Sequence, residues 1–126
     1  MNSKFATAIN CMDGRVQVPV IEYIKRNYRI DYVDMITEPG PNKILAENTD
    51  KTTIESIKGR VKISVERHNS KLIAVVGHHD CAGNPTDRES QLKHILAAIK
   101  TVGSWNFKVQ VTGIWVDENW RACRVQ

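Results

Sequence analysis

Apolar residues along the chain follow two rhythms in turn. Phe5–Asn10, Leu72–Val76 and Val109–Val116 are short runs dense in apolar and β-branched residues, as expected of strands buried on both faces. Tyr32–Thr37 reads as a further strand of the same kind. Between these runs, apolar positions recur every three or four residues, the helical period. Val20, Ile21, Ile24 and Tyr28 form one stripe, with Pro19 opening the helix. Ile54, Ile57, Val61 and Val65 form a second, capped by Thr52 or Thr53, and Gly59 weakens that helix without breaking it. Leu92, Ile95, Leu96 and Ile99 form a third, ending near Gly103. Glu38-Pro39-Gly40-Pro41-Asn42 interrupts regular structure, and Asp117-Glu118-Asn119 predicts a turn into a short antiparallel strand over Arg121–Val125. Alternating strands and helices predict a single α/β domain over residues 1–126. It has three layers, α/β/α, around a mostly parallel sheet with an antiparallel C-terminal edge strand.

Composition adds bounds. A chain of 126 residues is long enough to bury a real core, and 41% hydrophobic with 25% charged residues is ordinary for a globular domain. No apolar stretch approaches the roughly 20 residues of a membrane span. Met1-Asn2-Ser3-Lys4 lacks the features of a signal peptide, so a cytoplasmic protein with no membrane partner is expected. The net charge of +4 is spread among acidic residues, which argues against a nucleic-acid surface. Three cysteines, an odd number, suit a metal or reactive thiol better than a disulfide framework.

Two segments directly follow strand-like runs: Cys11-Met12-Asp13-Gly14-Arg15 and Gly77-His78-His79-Asp80-Cys81. In open parallel sheets, ligands bind beyond the carboxyl ends of the strands. Cys11, His78 and Cys81 would there supply two thiolates and an imidazole, a donor set that favours Zn²⁺ and leaves a fourth position. Asp13 could take that position, or Arg15 could hold it away in a bidentate pair. The spacing of His78 and Cys81 fits a turn that opens a helix, with Asp80 as its cap. His79 is the nearest candidate for moving a proton. His68 and His94 are expected on helix surfaces and Cys123 as a buried, inert thiol. Trp105, Trp115 and Trp120 are expected to pack the core or a subunit contact. Pro39-Gly40-Pro41, following a strand, could line the same crevice.

C-x-D-x-R after a first strand and H-x-x-C after a later one together resemble the zinc-site signature of the β-class carbonic anhydrases. Pro19, Gly77 and the Ala82-Gly83 pair extend the likeness. It implies a doubly wound α/β fold, Zn²⁺ held by Cys11, His78 and Cys81, and Asp13 and Arg15 in catalytic roles. It further implies reversible hydration of CO₂ to bicarbonate in a homodimer or higher even-numbered oligomer. A non-catalytic zinc protein of the same fold, or a zinc hydrolase acting on carbonyl sulfide or carbon disulfide, are the alternatives. Gly14 stands where the family commonly has Ser, and Thr37–Asn42 replaces its usual R-N-A-G-N-like segment.

Overall fold

The computed structural model describes residues 3–125. Met1 and Asn2, the start of the segment expected not to be a signal peptide, lie outside them, as does Gln126. Among the described residues, five strands form one sheet in the order β2-β1-β3-β4-β5. They are β1 Phe5–Cys11, β2 Tyr32–Glu38, β3 Leu72–His78, β4 Gln110–Val116 and β5 Ala122–Arg124. The first four are parallel and β5 runs antiparallel to β4, as the pattern predicted. The helices are α1 Gln17–Tyr28, α2 Pro41–Glu47, α3 Lys51–Arg67 and α4 Arg88–Gly103.

Alternation along the strands divides the core between the two sheet faces. Ala6, Ala8, Leu72, Ala74 and Val76 meet Val20 and Ile24 of α1 on one side. Ile9, Ile73 and Val75 meet Leu45 of α2, Ile54, Ile57 and Val61 of α3, and Ala98 and Val102 of α4 on the other. Each fully buried Ile among them contributes roughly 2–3 kcal/mol. β1 and β3 lie at the centre and are almost wholly buried. No helix among the described residues is long and apolar enough to cross a membrane.

Four expectations about the elements need correction. α2 was not foreseen: Pro41 starts a helix rather than prolonging a break, because Pro suits a first turn that needs no amide donor there. α3 is capped by Asp50, whose side chain accepts from Thr53 N, not by Thr52 or Thr53. In α4 the inward stripe is Gln91, Ile95, Ala98 and Val102, and Leu96 is 45% exposed. The last strand is shorter than Arg121–Val125, and Cys123 faces solvent rather than the core.

Candidate metal centre

β1 and β3 are neighbours, paired so that Ile9 lies opposite Val75, and both run into the site at their carboxyl ends. Cys11 is the last residue of β1 and His78 the last of β3. This register resolves the gap of 67 positions between them. Cys81 arrives from the loop that follows. The donor atoms of Cys11, His78 and Cys81 all lie within 4.8 Å of one another, and all three residues are buried. The sulfurs are 3.8 Å apart. Two thiolates on one tetrahedral zinc, at about 2.3 Å each, would also stand about 3.8 Å apart.

His78 supplies the clearest sign that something is meant to sit here. Its Nδ1 donates to the His79 carbonyl at 2.7 Å, which leaves the lone pair of the neutral ring on Nε2. That Nε2 is buried and has no hydrogen-bond partner among the described residues. A buried acceptor left unpaired is costly, and a metal ion is the partner that imidazole and two thiolates have in common. The donors therefore fit Zn²⁺.

Proximity also shapes the charges. The Cys81 thiol beside Cys11 lowers the Cys11 pKa to about 4, against the opposing effect of burial. The same contact, reinforced by burial, pushes the Cys81 thiol above its ordinary value. The pair holds one proton loosely and the other tightly. Burial works to lower the His78 pKa, but contact with Cys11 and the His79 carbonyl outweighs it, so the net direction is upward.

The loop after β1 is tied down by the residues flanking it. Asn10 Oδ1 accepts from Cys11 N at 2.9 Å and Asn10 Nδ2 donates to the Val16 carbonyl at 3.1 Å. Gln17 Nε2 donates to the carbonyls of both Cys11 and Asp13. Asp13 begins a single 3-10 turn over Gly14–Val16 and lies in the grip of Arg15. Arg15 Nη2 donates to Asp13 Oδ2 at 2.7 Å and Nε to Oδ1 at 3.0 Å. Asp13 is thus paired with Arg15 and stands outside the cluster of Cys11, His78 and Cys81. The hydrogen bonds from Arg15 hold the Asp13 pKa down at about 2.

Arg15 also reaches the second loop, donating to the Asp80 carbonyl at 3.1 Å and to its carboxylate at 3.3 Å. Its guanidinium lies 4.4 Å from the centre of the Trp120 ring, a cation–π contact. Asp80 consequently has a different place from the one expected. It sits at φ 57°, and the segment after it is a loop, with Asp87 capping α4 instead. Asn10 and Gln17 were not expected from the sequence, and only their nearness to Cys11–Arg15 could have flagged them. Trp120, expected to pack, does lie against the core and also meets Arg15, a contact that nothing in the sequence flags.

The other candidates separate. His79 is exposed, meets Trp120 edge to face, and lines a crevice of about 650 Å³ with Arg15, Cys81, Ala82, Arg88 and Trp115. Trp115 is a core residue and Trp105 is half-buried against Phe107. His68 is exposed, stacked on Phe5 and paired with Asp34. His94, expected on the surface, is half-buried against Asn84. Pro39 and Gly40 touch the loop that carries Cys81, at Gly83.

A family model described as "Putative carbonic anhydrase" matches residues 1–126. No curated protein sequence matches the chain significantly. Among solved structures, the chain resembles a carbonic anhydrase from Glaciozyma antarctica at 13% identity and TM-score 0.56, covering 100% of this chain and 85% of that one. It resembles a tetrameric β-carbonic anhydrase from Sordaria macrospora at 15% identity and TM-score 0.58, covering 98% and 81%. A carbon disulfide hydrolase in its apo form matches at 15% identity and TM-score 0.52, covering 99% and 79%. At such identities the likeness establishes the fold. From the family model matched along its whole length, the chain belongs to the carbonic anhydrase family which that model describes, built on the β-carbonic anhydrase fold.

Proposed function

We propose that the protein is a zinc-dependent carbonic anhydrase that interconverts CO₂ and bicarbonate. The observation that carries this reading is the unpartnered Nε2 of His78, buried among two cysteines and flanked by the Arg15-held carboxylate of Asp13. Cys11, His78 and Cys81 would hold the ion. When bound, Zn²⁺ supplies Lewis acidity that lowers the pKa of a water in its open position from about 15.7 to about 7.

The chain's own groups do the rest. Asp13 stays ionised at neutral pH and can accept a hydrogen bond at a carboxylate oxygen, aiming a nucleophile at an electrophilic carbon. Arg15 keeps that carboxylate away from the thiolates, and Trp120 and Asp80 fix the guanidinium in turn. His79, exposed at the crevice, would carry protons outward. The three free cysteines suit a reducing compartment such as the cytoplasm. A dimer or larger even-numbered assembly is proposed as well, since the Sordaria relative is tetrameric.

Elemental analysis and stopped-flow CO₂ hydration test the reading together. About one Zn²⁺ per chain with turnover is expected, and a fully loaded protein without turnover would sink the activity while sparing the metal. The carbon disulfide hydrolase likeness supports a second reading, hydrolysis of a sulfur-containing heterocumulene. Sulfide release from carbonyl sulfide or carbon disulfide, exceeding CO₂ turnover, would favour it. Sedimentation showing only a monomer of 14.3 kDa at micromolar concentration would refute the assembly.

A further inference from the structure

Three buried amide side chains stand behind the loop that carries Cys81. Asn42 near the start of α2, Asn84 in the loop and Gln91 on α4 are each 1–2% exposed. Asn42 Nδ2 donates to Gln91 Oε1 at 2.7 Å, and Gln91 Nε2 donates to the Asn84 backbone carbonyl at 2.9 Å. Asn84 Nδ2 donates to His94 Nδ1 at 2.9 Å and lies 3.4 Å from Asn42 Oδ1. An amide nitrogen can only donate, so His94 Nδ1 accepts and the ring proton sits on Nε2. The bonds close a ring across α2, the loop and α4. Buried amides are costly when unpaired, so a ring in which each amide is bonded to the next favours one arrangement over its alternatives.

The ring presses on the metal ligands from two sides. A Cβ placed on Gly77 would stand 2.7 Å from Gln91 Oε1 and 2.8 Å from Asn42 Nδ2. The Asn42–Gln91 pair therefore rests on the backbone one residue before His78. On the other side, Asn84 N donates to the Cys81 carbonyl at 3.3 Å, closing a turn whose far end Gln91 grips through the Asn84 carbonyl. Gly83 inside that turn lies so close to Pro39 and Gly40 that a Cβ would fall 2.4 Å from the Pro39 carbonyl carbon. Gly40, at φ 60°, faces Gly83 in return, and a Cβ there would fall 2.7 Å from the Gly83 carbonyl carbon. Packing alone does not account for a polar residue at position 91, where the inward stripe of α4 continues with Ile95, Ala98 and Val102.

We propose that Gln91, with Asn42 and Asn84, is a positioning group for the metal centre: it sets the backbone of His78 and Cys81 in ligating geometry before the ion arrives. The proposal rests on the metal reading above. These amides do not touch the ion, and they act through the Gly77 backbone and the Cys81–Asn84 turn.

The test is a Co²⁺ titration followed by thiolate-to-cobalt absorption, with Zn²⁺ competition, alongside thermal unfolding of the metal-free chain. Wild type is compared with Gln91→Met, Asn84→Ala and Thr7→Val, the last removing a buried hydroxyl four residues before Cys11 on β1. Gln91→Met is expected to bind about 10- to 100-fold more weakly, the usual cost of losing an outer-shell partner. Asn84→Ala should shift the same way, and it decides the matter if Gln91→Met does not fold. Thr7→Val should bind within about twofold of wild type even though it unfolds at lower temperature, since it lies outside that outer shell. Wild-type affinity in the amide variants, or an equal loss in Thr7→Val, would overturn the positioning role alone. A wild-type chain that binds no Co²⁺ would overturn the metal reading and the positioning role with it.

Discussion

Two polar clusters lie about 13 Å apart along β1, four residues at strand rise, and they are built on opposite logic. At the amino-terminal side, Thr7 Oγ1 donates to Ser70 and lies 2.6 Å from the Ser64 hydroxyl. Ser64 donates to Asp34, and Asp34 pairs with His68. Every one of these groups has a protein partner. At the carboxyl-terminal side, Cys11, Cys81 and His78 converge on one point, and the Nε2 of His78 is left without any among the described residues. A satisfied cluster is complete within the fold, whereas an unsatisfied one of this composition is built for something added. The difference separates a structural buried polar group from a functional one without reference to any relative.

Removing a ligand should break the contrast most sharply. Cys81→Ala is expected to weaken Zn²⁺ binding by more than about 100-fold, because a free energy of roughly 10–16 kcal/mol is shared among the ligands of such a site. Ser64→Ala, in the satisfied cluster, should leave bound zinc unchanged. Zinc content after dialysis against a mild chelator measures both, and wild-type zinc in Cys81→Ala would end the ligand assignment.

Arg15→Ala asks whether the carboxylate beside the ligands is held for chemistry or simply paired for stability. Losing the guanidinium releases Asp13 from its bidentate grip, free to approach the metal position. CO₂ hydration should fall on the order of 100-fold, the scale of a misplaced catalytic group, while zinc content stays the same. Full activity in stopped-flow assays at neutral and alkaline pH would show that Asp13 needs no holding.

How much of this was legible in the sequence depends on the kind of signal. The strands were readable because β1 and β3 are buried on both faces and so carry unbroken apolar runs. The cluster was readable because Cys11 and His78 stand at the ends of such runs and Cys81 follows three residues later. The amide ring was not, because Asn42, Asn84 and Gln91 look like surface residues until the topology brings them together. Gln91 also displaced the expected stripe: it shares the helical period of Ile95, Ala98 and Val102, so counting apolar residues favoured Leu92 and Leu96. α2 was hidden by reading Pro39-Gly40-Pro41 as a break, although Pro41 sits where a helix tolerates it. Asp80 was misplaced because its positive φ cannot be read from sequence.

pH offers a graded version of the comparison. Metal binding must displace the proton that Cys81 holds tightly, and whatever fraction His78 retains. Affinity for Co²⁺ should therefore rise between about pH 6 and pH 8, roughly tenfold per unit for each proton released. Asp13 does not contribute to that slope. Its depressed pKa of about 2 lends stability that is fully present above its ordinary value of 3.8, and that is lost only as pH falls toward 2. In the metal-free chain the raised His78 pKa acts in the other direction, favouring the fold below about 6.5 and ceasing to help as pH rises through the raised value. A Co²⁺ affinity flat across that range would mean that Cys81 is already deprotonated in the free chain.

Thr7→Val probes the satisfied cluster itself and should have the smallest effect. The substitution keeps the shape and removes one hydroxyl, so no cavity opens. Ser64 still donates to Asp34 and Ser70 still donates to the Leu72 carbonyl, so neither serine is stranded. What is lost is one net hydrogen bond, Thr7 to Ser70, roughly 1 kcal/mol. For a chain of this length, that lowers the unfolding midpoint by about 3–8 °C. The effect belongs entirely to stability, since the altered atom lies some four strand residues from Cys11. A midpoint drop several times larger would show that the cluster behaves as one cooperative unit, in which removing the hydroxyl strands its neighbours after all. An unchanged midpoint would show that burying the Thr7 hydroxyl costs as much as its hydrogen bond returns, and that β1 keeps it to fix the register of α3 on the sheet rather than to stabilise the fold.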